Sequence, residues 1–151
     1  MARQEKFLQL RGKEKELNAL VSKIHNQVFD RTDCLDCANC CKSAPPLVTN
    51  SDIKRIAKFL GLTPKNFKRN YTLEDIDGSV SFDSVPCQFL QEDNSCSIYE
   101  VRPNACRSYP HTNDGDFLKR IHLHEINAKI CPATEEILQL MNDKISKTYN
   151  L

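Results

Sequence analysis

The sequence predicts an α-dominated α+β fold: a small cysteine-rich domain with long terminal helices and a short β element. Three observations support this prediction. Both ends of the 151-residue chain carry apolar residues at helical spacing among charged ones. Eight cysteines occur in the chain, four of them within the eight residues from Cys34 to Cys41. The hairpin signal Asp77-Gly78 has only short flanking runs, so we expect a small sheet.

Residues 3–29 are predicted to form one long amphipathic helix, although Gly12 weakens its start. Its apolar stripe consists of Leu10, Leu17, Leu20, Val21, Ile24 and Val28. Because such a stripe usually faces a core, we expect residues 1–30 to pack on a domain formed by residues 31–151. The alternative is that this charged helix reaches toward a protein partner.

The next two helices have clear boundary signals. "TNSDIKRIAKFLG" is predicted to form a helix capped by Thr49 or Ser51, with Gly61 in the left-handed position that follows a helix. Its predicted buried face consists of Ile53, Ile56, Ala57 and Leu60. "TPKNF" starts a short helix, with Thr63 as the cap and Pro64 in the first turn.

The remaining elements are short until the last helix. "CQFL", "CSIY" and the alternating "FLKRIHLHEI" are candidate strands, and "YEVRPNACRSY" is predicted to hold a short helix starting near Arg102-Pro103. "CPATEEILQLMNDKISKTYN" is predicted to be helical, with Thr134 as its cap. Its apolar stripe consists of Ile137, Leu138, Met141 and Ile145.

Composition narrows the class of protein. The 21 Lys and Arg residues nearly balance 20 Asp and Glu residues, so neither a nucleic-acid surface nor a membrane surface is expected as the main partner. No run approaches the roughly 20 apolar residues of a membrane span, and the charged start lacks the apolar core of a secretory signal. We therefore expect a cytoplasmic protein, in which structural disulfides are disfavoured.

The spacing of the first cysteines indicates a metal site. Cys34, Cys37 and Cys40 follow one another with two intervening residues, which lets their sulfurs reach one ion at about 2.3 Å. Bacterial ferredoxins hold an iron–sulfur cluster with similar spacing and a final cysteine followed by proline, as Cys131 is here. Soft thiolates suit zinc and iron alike, so the metal stays open between them.

Eight thiols match the ligand count of two four-thiolate centres. Neighbouring side chains usually diverge, so Cys40 and Cys41 are expected to serve two centres more easily than one. The alternative is one such centre plus a looser redox or metal-exchange site. Spacing does not assign each cysteine to a centre. The predicted metal ligands are Cys34, Cys37, Cys40, Cys41, Cys87, Cys96, Cys106 and Cys131.

A four-thiolate zinc or oxidised cubane site carries a net charge of about −2, which needs nearby donors and cations. Arg102 and Arg107 on either side of Cys106 are the candidate supporting residues, and Lys42 is a weaker one. We expect the histidines to be surface or hydrogen-bonding groups; His111 alone remains a minor ligand candidate. Tyr99 and Tyr109 are expected to pack beside the centre.

The ordered combination "CLDCANCC", "PCQFL", "CSIYEVRPNACRSYP" and a late "CP" resembles the YkgJ family, a zinc- or iron-chelating cysteine-cluster domain with a CxxCxxCC signature. The resemblance extends from Cys34 to Pro132. The sequence differs from the family pattern at Gln88, where the family often has proline. It implies metal or cluster binding by the eight cysteines. A related cluster accompanies flagellin lysine methylases, but this chain is too short for that larger enzyme.

Together these features predict a metal-binding protein whose cysteines hold zinc, iron or an iron–sulfur cluster in a structural, redox or metal-handling role. Two alternatives remain. One is a protein-modifying or redox enzyme, or its accessory subunit, that uses an iron–sulfur cluster. The other is a zinc-stabilised interaction module that presents the N-terminal helix to a protein partner. No distinctive nucleophile–base or carboxylate pair supports the enzyme.

Overall fold

A computed structural model describes residues 2–151 and divides them into two compact units. Unit 1 comprises the chain up to Asp33 together with Pro110–Leu151, and unit 2 comprises Cys34–Tyr109. These boundaries differ from the division at residue 30, which stays a prediction about domains. None of the helices within residues 2–151 combines the length and apolar character needed to cross a membrane.

Helices dominate the secondary structure, and the predicted α-dominated α+β class is confirmed. In chain order the elements are α1 (Arg3–Leu8), α2 (Glu14–Phe29), α3 (Asn39–Ser43), α4 (Asn50–Phe59), α5 (Pro64–Tyr71), β1 (Thr72–Glu74), β2 (Val80–Phe82), α6 (Asn104–Ser108), α7 (Ile121–Ala128) and α8 (Pro132–Tyr149). Short 3-10 helices span Cys34–Asp36, Tyr99–Val101 and Leu118–Arg120.

The prediction of one helix over residues 3–29 is wrong, because the chain breaks between α1 and α2. Gly12 lies at φ +93°, a conformation that does not continue an α-helix. Its N–H donates to Glu14 Oε1 at 2.9 Å, which ties the turn to the start of α2. Leu10 is buried within this turn rather than on a helix.

The core of unit 1 is built from the two predicted apolar stripes. Every member of the α8 stripe is buried, as are five of the six residues predicted for the stripe of the first helix. Leu10 lies in the turn, and the other four are Leu17, Val21, Ile24 and Val28 on α2. Phe7 and Phe117 complete this core edge to face, with ring centroids 5.2 Å apart. The apolar stripe on α2 therefore packs into the core of unit 1.

Two further predictions in unit 1 are wrong. "FLKRIHLHEI" is helical, because Ile121, His124 and Asn127 are buried at helical spacing. His122, exposed on the same helix, does not share a face with His124. Thr134 is not a cap: α8 begins at Pro132 after Cys131, so Thr134 lies buried in its first turn.

Unit 2 follows most of its local signals, but the candidate strands "CQFL" and "CSIY" form only an isolated bridge between Leu90 and Cys96. Thr49 accepts the N–H of Asp52 at 3.2 Å, and Thr63 accepts the N–H of Asn66 at the same distance, as predicted for the caps of α4 and α5. Gly61 ends α4 at φ +69°. Strands β1 and β2 pair antiparallel around the predicted Asp77-Gly78 turn. The core contains Val48, Ile53, Ile56, Ala57, Phe67, Phe82, Phe89 and Ile98.

Candidate metal centre

Seven of the eight predicted ligands lie in unit 2, and none of the eight is in a disulfide within the described residues. The exception is Cys131, which precedes α8 in unit 1. Cys34 and Cys106 are exposed, and the other six cysteines are partly buried. The chain path of unit 2 therefore gathers cysteines that are up to 72 residues apart in sequence, from Cys34 to Cys106.

The CxxCxxCC segment is a double turn. Its first part is the 3-10 helix Cys34–Asp36, and Ala38 N–H donates to the carbonyl of Cys34 at 2.9 Å. Ala38 then takes a left-handed conformation at φ 48°, which starts α3 in a new direction. Lys42 Nζ donates to the carbonyl of Cys37 at 2.7 Å. This backbone path puts Cys40 and Cys41 in the first turn of α3.

Backbone hydrogen bonds bring the next two cysteines to this segment. Cys87 N–H donates to the carbonyl of Cys41 at 2.8 Å, so the two backbones are in direct contact. The N–H of Leu90 donates in turn to the carbonyl of Cys87 at 3.0 Å, and Leu90 forms a β-bridge with Cys96. One tight loop thus carries Cys87 and Cys96 to the same place as Cys41.

Electrostatic interactions define a five-thiol cluster, consisting of Cys40, Cys41, Cys87, Cys96 and Cys106. Each of these thiols interacts with at least three of the other four. Such interactions fall off with distance, so the five sulfurs occupy one region of unit 2. Four thiolates are enough for a tetrahedral zinc site or a cubane cluster.

Cys40 and Cys41 interact directly through their side chains. The Cys40 S–H donates to the Cys41 sulfur, which lowers the pKa of Cys41 and raises the pKa of Cys40. The two side chains are therefore in contact, whereas the sequence favoured divergence. Cys41 is the thiol of this pair that ionises first.

Burial acts on the other three members of the five-thiol cluster. It raises the pKa of Cys87 and of Cys96, and it raises the pKa of Cys106 to about 12, with smaller effects from Cys87 and Cys40. Cys106 is exposed as a residue, but its sulfur end is desolvated by the neighbouring groups. In the metal-free chain these thiols hold their protons at neutral pH, so a metal must displace protons to bind.

The donor set suits zinc or iron, because both bind thiolates well. Within residues 2–151 no three His, Cys, Asp or Glu side chains are already placed to hold a metal ion together.

Arg102 and Arg107 stabilise the backbone around Cys106. Arg102 Nη1 donates to the carbonyl of Tyr99 at 2.7 Å, and its guanidinium lies 3.8 Å from the centroid of the Tyr99 ring. Arg107 Nη2 donates to the carbonyl of Glu100 at 2.6 Å. Burial raises the pKa of Cys96 and of Cys106, and the Arg102 charge partly offsets both rises. A supporting role of both arginines toward a bound metal stays a prediction.

All four histidines lie in unit 1. His25 Nδ1 is 2.8 Å from Thr112 Oγ1, and His111 Nδ1 is 3.0 Å from Asp114 Oδ2. His124 differs from the expected surface or hydrogen-bonding group. It is fully buried, stacks on Phe117 with centroids 5.1 Å apart, and neither ring nitrogen has a hydrogen-bond partner among residues 2–151.

No sequence motif pointed to the contacts of Asp52 and Arg55, which connect α4 to the turn before α6. Asp52 is fully buried, and its Oδ1 accepts from Arg55 Nη2 at 2.6 Å and from Asn104 N–H at 3.2 Å. The Thr49-x-x-Asp52 pattern is a capping-box spacing that marks the helix start. It gives no signal of the second contact, because Asn104 lies 52 residues away in sequence.

Comparison with known proteins supports the metal assignment. The family model described as "CxxCxxCC: Putative zinc- or iron-chelating domain" matches residues 33–137. This span contains all eight cysteines, and the match confirms the predicted resemblance at the level of the domain. No curated protein and no solved structure matches the chain.

Proposed function

Because the chain belongs to the CxxCxxCC family, we propose that unit 2 binds zinc or iron through the five-thiol cluster and acts in metal handling. In this role the protein takes up one ion and gives it to another ligand. We further propose that it works in the reducing cytoplasm, where free thiols persist.

The observation that carries this proposal is the meeting of five thiols from three separate stretches of chain. Cys40 and Cys41 come from α3, Cys87 and Cys96 come from one loop, and Cys106 comes from α6. If these cysteines were only small buried apolar residues, their sulfurs would not need to lie close enough to shift one another's pKa. Cys34 and Cys37 precede α3 and are available as further ligands.

Exposure favours handling over a purely structural role. A structural zinc site is closed and complete. Here Cys34, in the segment that leads into Cys40 and Cys41, is exposed. An incoming thiolate would approach the ion from this side and replace one protein sulfur at a time.

An iron–sulfur cluster is the second candidate. Its support is the number of thiols, because seven cysteines in unit 2 exceed the four that one mononuclear site requires. A bound cubane would supply one-electron redox chemistry, and the protein's part would be to hold it and limit its exposure. Cys131, the eighth predicted ligand, lies in unit 1 and stays a predicted ligand.

Metal analysis of the full chain, expressed and purified without oxygen, tests the proposal. We expect zinc or iron bound in a fixed ratio to protein. We also expect free thiols, counted with a thiol reagent under native conditions, to fall by about four for each ion bound. Acid-labile sulfide in a one-to-one ratio with iron would favour the cluster over a mononuclear site.

Handling is tested by transfer. The zinc-loaded chain is mixed with a chromogenic chelator, and the rate of zinc transfer is measured against chelator concentration. A handling site gives a rate that rises with chelator concentration, because the chelator attacks the bound ion. A rate that is slow and independent of chelator concentration indicates a closed structural site. Absence of stoichiometric zinc or iron in every preparation would contradict the proposed function.

A further inference from the structure

We infer that Asp52 and Arg55 are positioning residues for the metal centre, because they fix the turn that places Cys106. Both lie on α4, and neither is a predicted ligand. This inference rests on the proposed function, in which Cys106 is one of the thiols that bind metal.

Asp52 joins two helix starts. Its Oδ2 accepts from Thr49 N–H at 2.9 Å and from Thr49 Oγ1 at 2.7 Å, at the start of α4. Its Oδ1 accepts the N–H of Asn104, the first residue of α6, at 3.2 Å. The residue before α6 is Pro103, whose side chain offers no cap. The Asp52 carboxylate therefore satisfies a free N–H of α6 from a distant helix.

Arg55 holds the other side of the same turn. Its Nε donates to the carbonyl of Val101 at 3.3 Å, and its Nη2 donates to the carbonyl of Arg102 at 2.8 Å. The same Nη2 lies 2.6 Å from Asp52 Oδ1. One planar guanidinium thus joins two successive carbonyls to a buried carboxylate, which a lysine ammonium does less well because it lacks the fork of donors.

Asp52 and Arg55 together form a clamp on the turn before α6. The position of Cys106 depends on this clamp, because α6 is too short to hold its own conformation. The helix has five residues, and isolated helices of this length are not stable in water. Within α6, Cys106 N–H donates to the carbonyl of Pro103 at 3.0 Å, so the cysteine is one turn from the Asp52 and Arg55 contacts. Loosening the turn would let the Cys106 sulfur move away from the other thiols.

The test compares Arg55→Gln, Arg55→Lys and Asp52→Asn with matched controls in the full chain. Arg69→Gln removes an exposed arginine from α5, and Asp77→Asn changes an exposed carboxylate that accepts the N–H of Ser79 at 2.9 Å. Each protein is reduced, stripped of metal and treated briefly with an alkylating reagent under native conditions. Mass spectrometry then gives the rate at each cysteine, with Cys131 in unit 1 as the internal reference.

We expect Arg55→Gln to raise the alkylation rate of Cys106 relative to Cys131, with Arg55→Lys between it and the wild type. In a Zn²⁺ competition titration we expect Arg55→Gln and Asp52→Asn to weaken affinity about 10- to 100-fold, as is common when groups supporting a ligand are lost. Neither control should change the alkylation ratio or the affinity more than about twofold. Urea unfolding of each variant identifies any protein that has lost its fold.

The inference is overturned if Arg55→Gln and Arg55→Lys remain folded with wild-type Cys106 reactivity and wild-type Zn²⁺ affinity. It is also overturned if every cysteine in unit 2 becomes reactive together, because that result describes general loss of structure. Absence of both Zn²⁺ and Fe²⁺ binding by the wild-type chain would instead contradict the proposed function. The alkylation ratio would then still decide whether the clamp positions Cys106.

Discussion

His124→Leu should remove a pH-dependent loss of stability. His124 is fully buried on α7, and burial lowers its pKa from 6.5 to about 4, with a smaller effect from Arg120. The unfolded chain therefore binds a proton at a higher pH than the folded chain does. The contribution of neutral His124 to the free energy of unfolding is therefore fully present above the unfolded pKa, and it is lost as pH falls from 6.5 toward 4.

The size of the effect follows from the same two pKa values. Each tenfold difference in proton affinity corresponds to about 1.4 kcal/mol, so the full loss below pH 4 is about 3 kcal/mol. Between about pH 7 and about pH 5 the wild type should lose about 2 kcal/mol from this residue. At neutral pH the substitution should cost little, because neither ring nitrogen has a hydrogen-bond partner within residues 2–151.

Urea unfolding at several pH values, followed by circular dichroism, measures this effect. The difference between wild type and His124→Leu isolates His124, because metal loss and carboxylate protonation affect both proteins alike. His122→Leu is the matched control, since His122 is exposed on the same helix and should keep the wild-type pH dependence. Equal pH dependence in wild type and His124→Leu would refute the reasoning.

Three further predictions concern unit 2. Removal of metal by a chelator should destabilise unit 2 by about 3 kcal/mol where metal had been present at 100 times its Kd; unchanged thermal stability after stripping would contradict this. Ile56→Ala should cost about 2–5 kcal/mol in urea unfolding, because Ile56 is fully buried, whereas Leu47→Ala, at a side chain 58% exposed, should cost much less. Gly61→Ala should cost about 1–2 kcal/mol, because Gly61 lies at φ +69°; an unchanged unfolding midpoint would argue against strain there.

Local signals predicted much of the fold. Thr49, Thr63 and the Asp77-Gly78 turn act on residues within about four positions, so the sequence alone specifies them. The apolar stripe of α8 was also predictable, because one face of a long helix needs a core. Such features depend on residues that are close together in the sequence.

Tertiary packing decided the rest of the fold. "FLKRIHLHEI" alternates as a strand does, but the burial of Ile121, His124 and Asn127 on one helical face makes it a helix. The stacking of His124 on Phe117 is part of that burial. Likewise, the sequence indicated that Gly12 weakens the first helix. It did not show that the chain turns there, at a positive φ, and so separates α1 from α2.

The sequence predicted the chemistry of the candidate site but not which cysteines lie together. Cysteine spacing indicated thiolate ligands for zinc or iron. Sequence distance could not show that Cys87 N–H meets the carbonyl of Cys41, or that Cys131 lies in unit 1. The clamp formed by Asp52 and Arg55 was invisible for the same reason, since its contacts span 46 to 52 residues.

X-ray absorption at the edge of the bound metal tests most directly whether the five-thiol cluster binds zinc or iron. The fine structure of the anaerobically purified chain should show about four sulfur neighbours near 2.3 Å for each ion. A short metal–metal distance would add evidence for a cluster, and Cys106→Ser should lower the sulfur count. A first shell of nitrogen and oxygen alone, in a chain that still holds stoichiometric metal, would contradict the account.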